Sequence, residues 1–174
     1  MTNQIVSDEG QTDLEQRRKT LVVGLGLPIS SDGKKILLTQ RSAPGNPHWH
    51  NKWQIAGGKV EFCETVEEGV IRELKEEIHV SATIRYPHPI VKTSIWYAKQ
   101  TDEGMDTQVV LITYLVDIGD QVPDLDQDYD KETENWSWFT LEEARKLDFL
   151  PLTIEIINAA FALIDQHAIL PLSK

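Results

Sequence analysis

A single-domain α+β fold follows from three features of this chain: the order of its apolar segments, one acidic helix between them, and the lack of repeats or an interdomain linker. Strand-like runs come first, a glutamate-rich helix stands midway, more strand-like runs follow, and an amphipathic helix comes last. A chain of 174 residues is long enough to bury a real core.

Residues 1–18 are polar and rich in Asp, Glu and Gln, which reads as a flexible tail with a short helix near 13–18. The folded domain is expected over 19–170. Thr20 to Leu27 is a buried β-run containing Gly24 and Gly26. Ser30 to Lys34 is a turn, and Lys35 to Gln40 returns as a second strand, so the pair reads as a hairpin. Arg41 leaves that strand toward the glycines that follow and is a candidate for contacting a substrate phosphate. Residues 42–52 form a loop with Pro44, Gly45 and Pro47, and it carries His48, Trp49 and His50 together. Hard divalent ions prefer oxygen, and no Cys or His elsewhere has zinc-like spacing to these histidines. The loop therefore reads as a surface segment with a packed Trp, with His50 open as a substrate contact. Asn51 to Ile55 is a short strand entering Gly57-Gly58, where glycine permits backbone geometry closed to other residues.

The next segment dominates the chain. From Glu64 to Val80 there is no Pro, and Gly69 is the one Gly, which suits a helix of three to four turns. Val66, Val70, Leu74 and Ile78 recur at i+4 and make an apolar stripe. Glu73, Glu76 and Glu77 are spaced i, i+3, i+4 and share one face, where like charges repel. A hard divalent cation with oxygen ligands would offset them. The plainer alternative is a solvated acidic face with Arg72 and Lys75 in surface pairs, and the helix taken alone favours it.

Residues 81–84 and 89–97 read as strands, 98–106 as a polar turn, and Thr107 to Asp117 as a strand pairing with its predecessor in a hairpin. Residues 118–133 form an acidic loop without a calcium-loop pattern, so its Asp residues read as solvation. Glu134-Asn135-Trp136-Ser137-Trp138-Phe139 is a further strand. Thr140-Leu141-Glu142-Glu143 is a capping box opening a helix to about Leu147. Pro151 opens a helix to about Gln166 with Ile154, Ile157, Phe161 and Ile164 toward the core.

A net charge of −11 argues against a nonspecific nucleic-acid or anionic-membrane binder, although metal ions and a few cations can still reverse the field locally for phosphates. A lone cysteine rules out an internal disulfide framework and fits a reducing compartment. Cys63 has no evident base beside it and reads as a small packing residue. No apolar run reaches membrane-spanning length and the N-terminal stretch lacks a signal-peptide core, so the expectation is a soluble cytoplasmic protein. A homodimer is compatible with all of this.

One spacing overturns the plain reading of the helix. Gly58, five residues, Glu64, seven residues, then Arg72-Glu73-Leu74-x-Glu76-Glu77-x-x-Val80 resembles the Nudix box, G-x5-E-x7-R-E-U-x-E-E-x-G-U with U apolar. His79 stands where the pattern has Gly, and Ala56 and Cys63 depart from frequent neighbours just outside the strict pattern. The resemblance implies the Nudix α/β/α sandwich around a mixed sheet, in one domain. It implies Mg²⁺, or Mn²⁺, held by Glu73, Glu76, Glu77, the Gly57 carbonyl and a distant carboxylate just before a Trp-containing strand. Glu134 is the choice for that carboxylate, with Glu132 second. Arg72 is implied to orient the glutamates, and Glu64 with Gly58 to shape the turn. Glu76 and Glu134 are both open as general base, and Glu73 shares the catalytic set. Arg41, His50, Lys59 and Tyr97 are candidates for binding substrate. The implied reaction is hydrolysis of a nucleoside diphosphate linked to a group X. A nucleoside or deoxynucleoside triphosphate, oxidised ones included, leads, with dinucleoside polyphosphates or nucleotide sugars as alternatives. An isomerase of isoprenoid diphosphates shares the fold but needs an upstream Cys that this chain lacks. A non-catalytic nucleotide-binding module is disfavoured because all the box carboxylates are present.

Overall fold

The computed structural model describes residues 18–101, 103–126 and 131–167. The short helix expected at 13–18 falls outside these residues except for Arg18, which already belongs to the first strand. The element order is β1 (Arg18–Pro28), β2 (Ile36–Arg41), β3 (Trp53–Gln54), β4 (Gly57–Lys59), α1 (Val66–Glu77), β5 (Thr83–Ile84), β6 (Ile90–Trp96), β7 (Asp106–Asp117), β8 (Thr133–Phe139), α2 (Leu141–Ala144) and α3 (Thr153–His167). The fold is α+β, as the segment order predicts. No helix among the described residues is long and apolar enough to cross a membrane.

The strands form a mixed five-stranded sheet, ordered β4-β1-β7-β5 with β6 also on β7, and a three-stranded sheet β3-β2-β8. β1 and β7 run parallel and pair along eleven residues, Arg18 with Asp106 through Pro28 with Val116. The β6–β7 hairpin forms as expected, from Ile90 opposite Thr113 to Trp96 opposite Thr107.

The expected β1–β2 hairpin does not form. The turn itself is tight, with the Ser30 N–H donating to the Lys35 carbonyl at 2.9 Å. One bridge, Ile29 to Ile36, follows it. Beyond that bridge both edges of β1 are taken, by β4 on one side and β7 on the other. β2 therefore crosses to the second sheet and pairs with β3 and β8. Gly57-Gly58 is likewise a short strand rather than a free turn.

Because side chains alternate along a strand, β1 serves two layers. Val23 and Leu27 enter a core shared with Ile36, Leu38, Leu111, Ile156, Ile157 and Ala160. The opposite face of β1 carries Gly24 and Gly26 and meets α1. A Cβ at Gly26 would lie 2.5 Å from Leu74 Cδ1, so glycine is what lets the helix lie this close. Val70, Leu74 and Ile78 pack there with Tyr114, Val116 and Ile118. α1 and α3 thus cover opposite faces of the mixed sheet. On α3, Ile157 and Ile164 are buried as expected, while Ile154 and Phe161 are half-buried and Ile156 and Ala160 fill the interior instead.

Helix α1 begins at a capping box: the Thr65 hydroxyl accepts from the Glu68 N–H and the Glu68 carboxylate accepts from the Thr65 N–H. Its far end is where the box departs from pattern. His79 adopts a left-handed φ of 55°, and its Nδ1 lies 3.1 Å from the Asp124 carbonyl. The His residue thus takes the backbone geometry that glycine usually supplies. The capping box at Thr140 forms as expected, but α2 ends at Ala144. Cys63 is exposed at φ 72°, not packed, because it sits at the outer bend between β4 and α1.

Candidate active site

A cleft of about 1170 Å³ opens between the two sheets and α1. One end is acidic, lined by Glu73, Glu76, Glu77, Arg72, Gly57 and Gly58, with Arg41 and Glu132 opposite. The other end is lined by Leu21, Trp49, Trp96 and Leu150, with Lys19 and Glu103 also present. Strand β1 connects the two ends, with Leu25 beside Gly57 and Lys19 in one row with Thr107 and Trp96.

Arg72 organises the acidic end. Its Nε and Nη2 donate to both oxygens of Glu64, at 3.0 and 2.7 Å. Its Nη1 donates to Glu73 Oε1 at 2.8 Å and to Glu76 Oε2 at 2.9 Å. Nη2 also donates to the Lys59 carbonyl at 3.1 Å. Every N–H of the guanidinium fork is used, which an ammonium could not match. The Arg72 guanidinium holds the Glu64 carboxyl down at about 2. Glu64 in turn accepts from the Glu61 N–H and so fixes the bend between β4 and α1.

Glu73 and Glu77 are the enclosed carboxylates. Burial raises Glu73 above its ordinary range, against the pull of Arg72. Gly58 is tight against it, since a Cβ there would lie 2.6 Å from the Glu73 carboxylate. Glu77 turns the other way. Its Oε1 accepts from the Thr133 hydroxyl at 2.6 Å and from Gln54 Nε2 at 3.2 Å. Its Oε2 accepts from the Gly57 N–H at 2.9 Å. Burial nonetheless pushes Glu77 up to about 7. Glu76 is 62% exposed and, among the described residues, its carboxylate is bonded to Arg72 alone.

These groups offer hard oxygen donors and an excess of negative charge over the single guanidinium, which is the chemistry a divalent cation needs. A cation beside Glu73 and Glu77 would favour the charged forms that burial disfavours. Among the described residues no three His, Cys, Asp or Glu converge into a formed cage. The fit is therefore one of donor type and charge.

The remaining expected site residues divide. Arg41 lines the cleft and pairs with Glu132, Nη1 to Oε2, at 3.1 Å. Lys59 lines it too and reaches Glu61 at 3.3 Å. Glu134 is exposed on β8 and does not line the cleft, whereas Glu132 does. His50 stays outside, with Nδ1 accepting from the Ala43 N–H at 3.2 Å. Tyr97 is exposed and lines a separate hollow beside Arg18 and Gln108. Trp49 is packed as expected: its indole N–H donates to the Gln100 carbonyl at 2.6 Å, and its ring lies 5.1 Å from that of Trp96. Sequence reasoning missed Gln54, Thr133 and Trp96. They come from strands distant in sequence, and no local spacing marks them.

The NUDIX domain model matches residues 20–159. The 8-oxo-dGTP diphosphatase of Escherichia coli (strain K12) is 28% identical over 139 residues, covering 80% of this chain and 95% of the relative. The CTP pyrophosphohydrolase of the same organism is 45% identical over 56 residues, 32% of this chain and 39% of the relative. The solution structure of the E. coli ORF135 protein superposes with a TM-score of 0.64 at 25% identity, covering 86% of this chain and 94% of that one. With the box glutamates gathered on one cleft and the family model spanning most of the sequence, the chain belongs to the NUDIX family and is an enzyme acting on pyrophosphate bonds.

Proposed function

We propose that this protein hydrolyses a phosphoric anhydride bond in a nucleoside diphosphate linked to X. The leading substrates are nucleoside or deoxynucleoside triphosphates, oxidised ones included, cut to the monophosphate and pyrophosphate. The observation that carries this reading is the cleft itself: box carboxylates ordered by Arg72 at one end and aromatic walls at the other. A triphosphate needs the first for its charge, and a base needs the second for its apolar faces. Two relatives named for nucleotide substrates support the same class.

Glu73, Glu76, Glu77 and the Gly57 carbonyl would hold Mg²⁺, with Mn²⁺ as the substitute, since NUDIX hydrolases generally use such ions. When bound, the ion neutralises phosphate charge and lowers the pKa of water. The chain does the rest. Arg72 fixes Glu73 and Glu76 relative to each other. Thr133, Gln54 and Gly57 fix Glu77. Glu76, exposed and held by Arg72, is the carboxylate best placed to take a proton from attacking water. Glu132 takes the distant position that sequence reasoning gave to Glu134, because it borders the cleft beside Arg41. Arg41 and Lys59 supply cations to the phosphates, and Glu64 and Gly58 shape the bend. His50 and Tyr97 lie outside the cleft and have no part in this reading.

The test is a panel of nucleoside triphosphates, dinucleoside polyphosphates and nucleotide sugars with Mg²⁺, scored for phosphate, pyrophosphate and monophosphate. Pyrophosphate from at least one triphosphate is expected. Cleavage of nothing on the panel, or full activity in excess EDTA, ends the proposal.

A further inference from the structure

At the aromatic end of the cleft a cation and a carboxylate meet at the rim. Lys19 sits on β1, and its Nζ donates to Glu103 Oε2 from the β6–β7 connection. Both residues line the cleft. The pair is half-exposed to exposed, so it contributes little to stability and gives way readily to a ligand. Nor does it exhaust either group: an ammonium has three donors and a carboxylate four lone-pair sites. Lys19, Thr107 and Trp96 occupy one row across three strands. The indole N–H of Trp96, in that row, is buried without an acceptor among the described residues. The rim thus offers the Lys19 ammonium as donor on one side and the Glu103 carboxylate as acceptor on the other, over an aromatic wall.

We infer that this rim reads the base edge of a guanine nucleotide, with Lys19 donating to the O6 carbonyl and Glu103 accepting from N1–H and the N2 amino group. The inference rests on the nucleotide hydrolase reading above. Guanine is the base whose pairing edge sets one acceptor beside two adjacent donors. Cytosine sets one donor beside two acceptors, uracil alternates, and adenine has a single donor. A lone carboxylate can accept from two neighbouring N–H groups at once, and only guanine supplies them. The contact leaves C8 unread, so guanine and 8-oxoguanine nucleotides enter alike through this edge.

The discriminating probe is deoxyinosine triphosphate, which is guanine's analogue without the N2 amino group. Full-length protein is assayed for kcat/KM on dGTP, 8-oxo-dGTP, dITP, dATP and CTP, as wild type, Glu103→Gln and Lys19→Gln. Wild type should favour dGTP over dITP by roughly tenfold, the scale expected when a charged partner loses its hydrogen bond. Glu103→Gln should erase that preference and lower both guanine substrates about tenfold while dATP and CTP stay within about twofold. Lys19→Gln should lower dGTP, 8-oxo-dGTP and dITP together, since all three keep the carbonyl. An equal loss on every base would make the pair a charge-steering device, and no loss on any would make it a surface contact; either overturns the inference. If wild type cleaves none of the five, the hydrolase reading itself has failed, which is a different outcome. Both substitutions lie on the rim outside the core, and a thermal melt of each variant confirms that the fold is intact.

Discussion

At the acidic end of the cleft, Arg72 makes five hydrogen bonds and Glu77 accepts three. At the aromatic end, the Trp49 side chain has one hydrogen bond and a ring contact, and the Trp96 indole N–H has no acceptor among the described residues. The first end holds polar groups in fixed positions before any ligand arrives, as a reaction sensitive to small displacements requires. The second presents apolar faces whose contacts are non-directional and tolerate adjustment. Damage at the acidic end should appear in kcat, and damage at the aromatic end in KM.

Glu77→Gln should separate the two most sharply. It keeps shape and removes the charge, so kcat should fall roughly 10²–10³-fold, the size expected for one electrostatic group at a reacting centre. A thermal melt should show the fold retained, because burial already disfavours that charge. Unchanged kcat would collapse the distinction between the ends. Arg72→Lys should come next. An ammonium cannot span Glu64, Glu73 and Glu76 together, and a drop of about 10–100-fold in kcat with KM little changed is expected for losing an orienting partner. At the other end, Trp96→Ala should raise KM roughly tenfold and leave kcat within about twofold, since stacking on a base is worth about 1–3 kcal/mol. A kcat loss as large as that of Arg72→Lys would show that the ends are not separable.

The smallest effect concerns stability and pH. Glu64 titrates at about 2 in the folded protein against 4.5 ordinarily, because Arg72 stabilises its charged form. A depressed carboxylate contributes stability above its unfolded pKa and loses it as pH falls through the folded one. Wild type should therefore melt above Glu64→Gln at pH 7, and the gap should close between about pH 4.5 and about 2. A gap that persists at pH 2 would place the contribution of Glu64 elsewhere than in its charge.

The same contrast explains what could be read from the sequence. Glu64, Arg72, Glu73, Glu76 and Glu77 lie within one bend and one helix, so backbone periodicity alone sets their relative positions. The β6–β7 hairpin is legible for the same reason, being local. What depends on long-range pairing is not. β2 leaves β1 because β4 and β7 occupy both its edges, a competition invisible in the Ser30–Lys35 turn. Thr133 reaches Glu77 across 56 positions and Gln54 across 23, through sheet registers that no local pattern encodes. The choice between Glu132 and Glu134, which a regular strand would put on one side, turns on an irregularity at the start of β8, where Glu134 falls between the pairs Arg41–Thr133 and Gln40–Asn135.

The long parallel ladder between β1 and β7 has one more implication. From Leu25, beside the glycines, to Lys19, at the rim, the strand advances six residues, about 20 Å at about 3.3 Å per residue. Seven paired rungs, Lys19 with Thr107 through Leu25 with Thr113, make that span stiff, so on the proposed nucleotide reading the strand would act as a ruler laid along the substrate. Which anhydride is cut would then be decided by counting outward from the base: lengthening or shortening the polyphosphate shifts the bond that meets the carboxylates, while the protein keeps its measure.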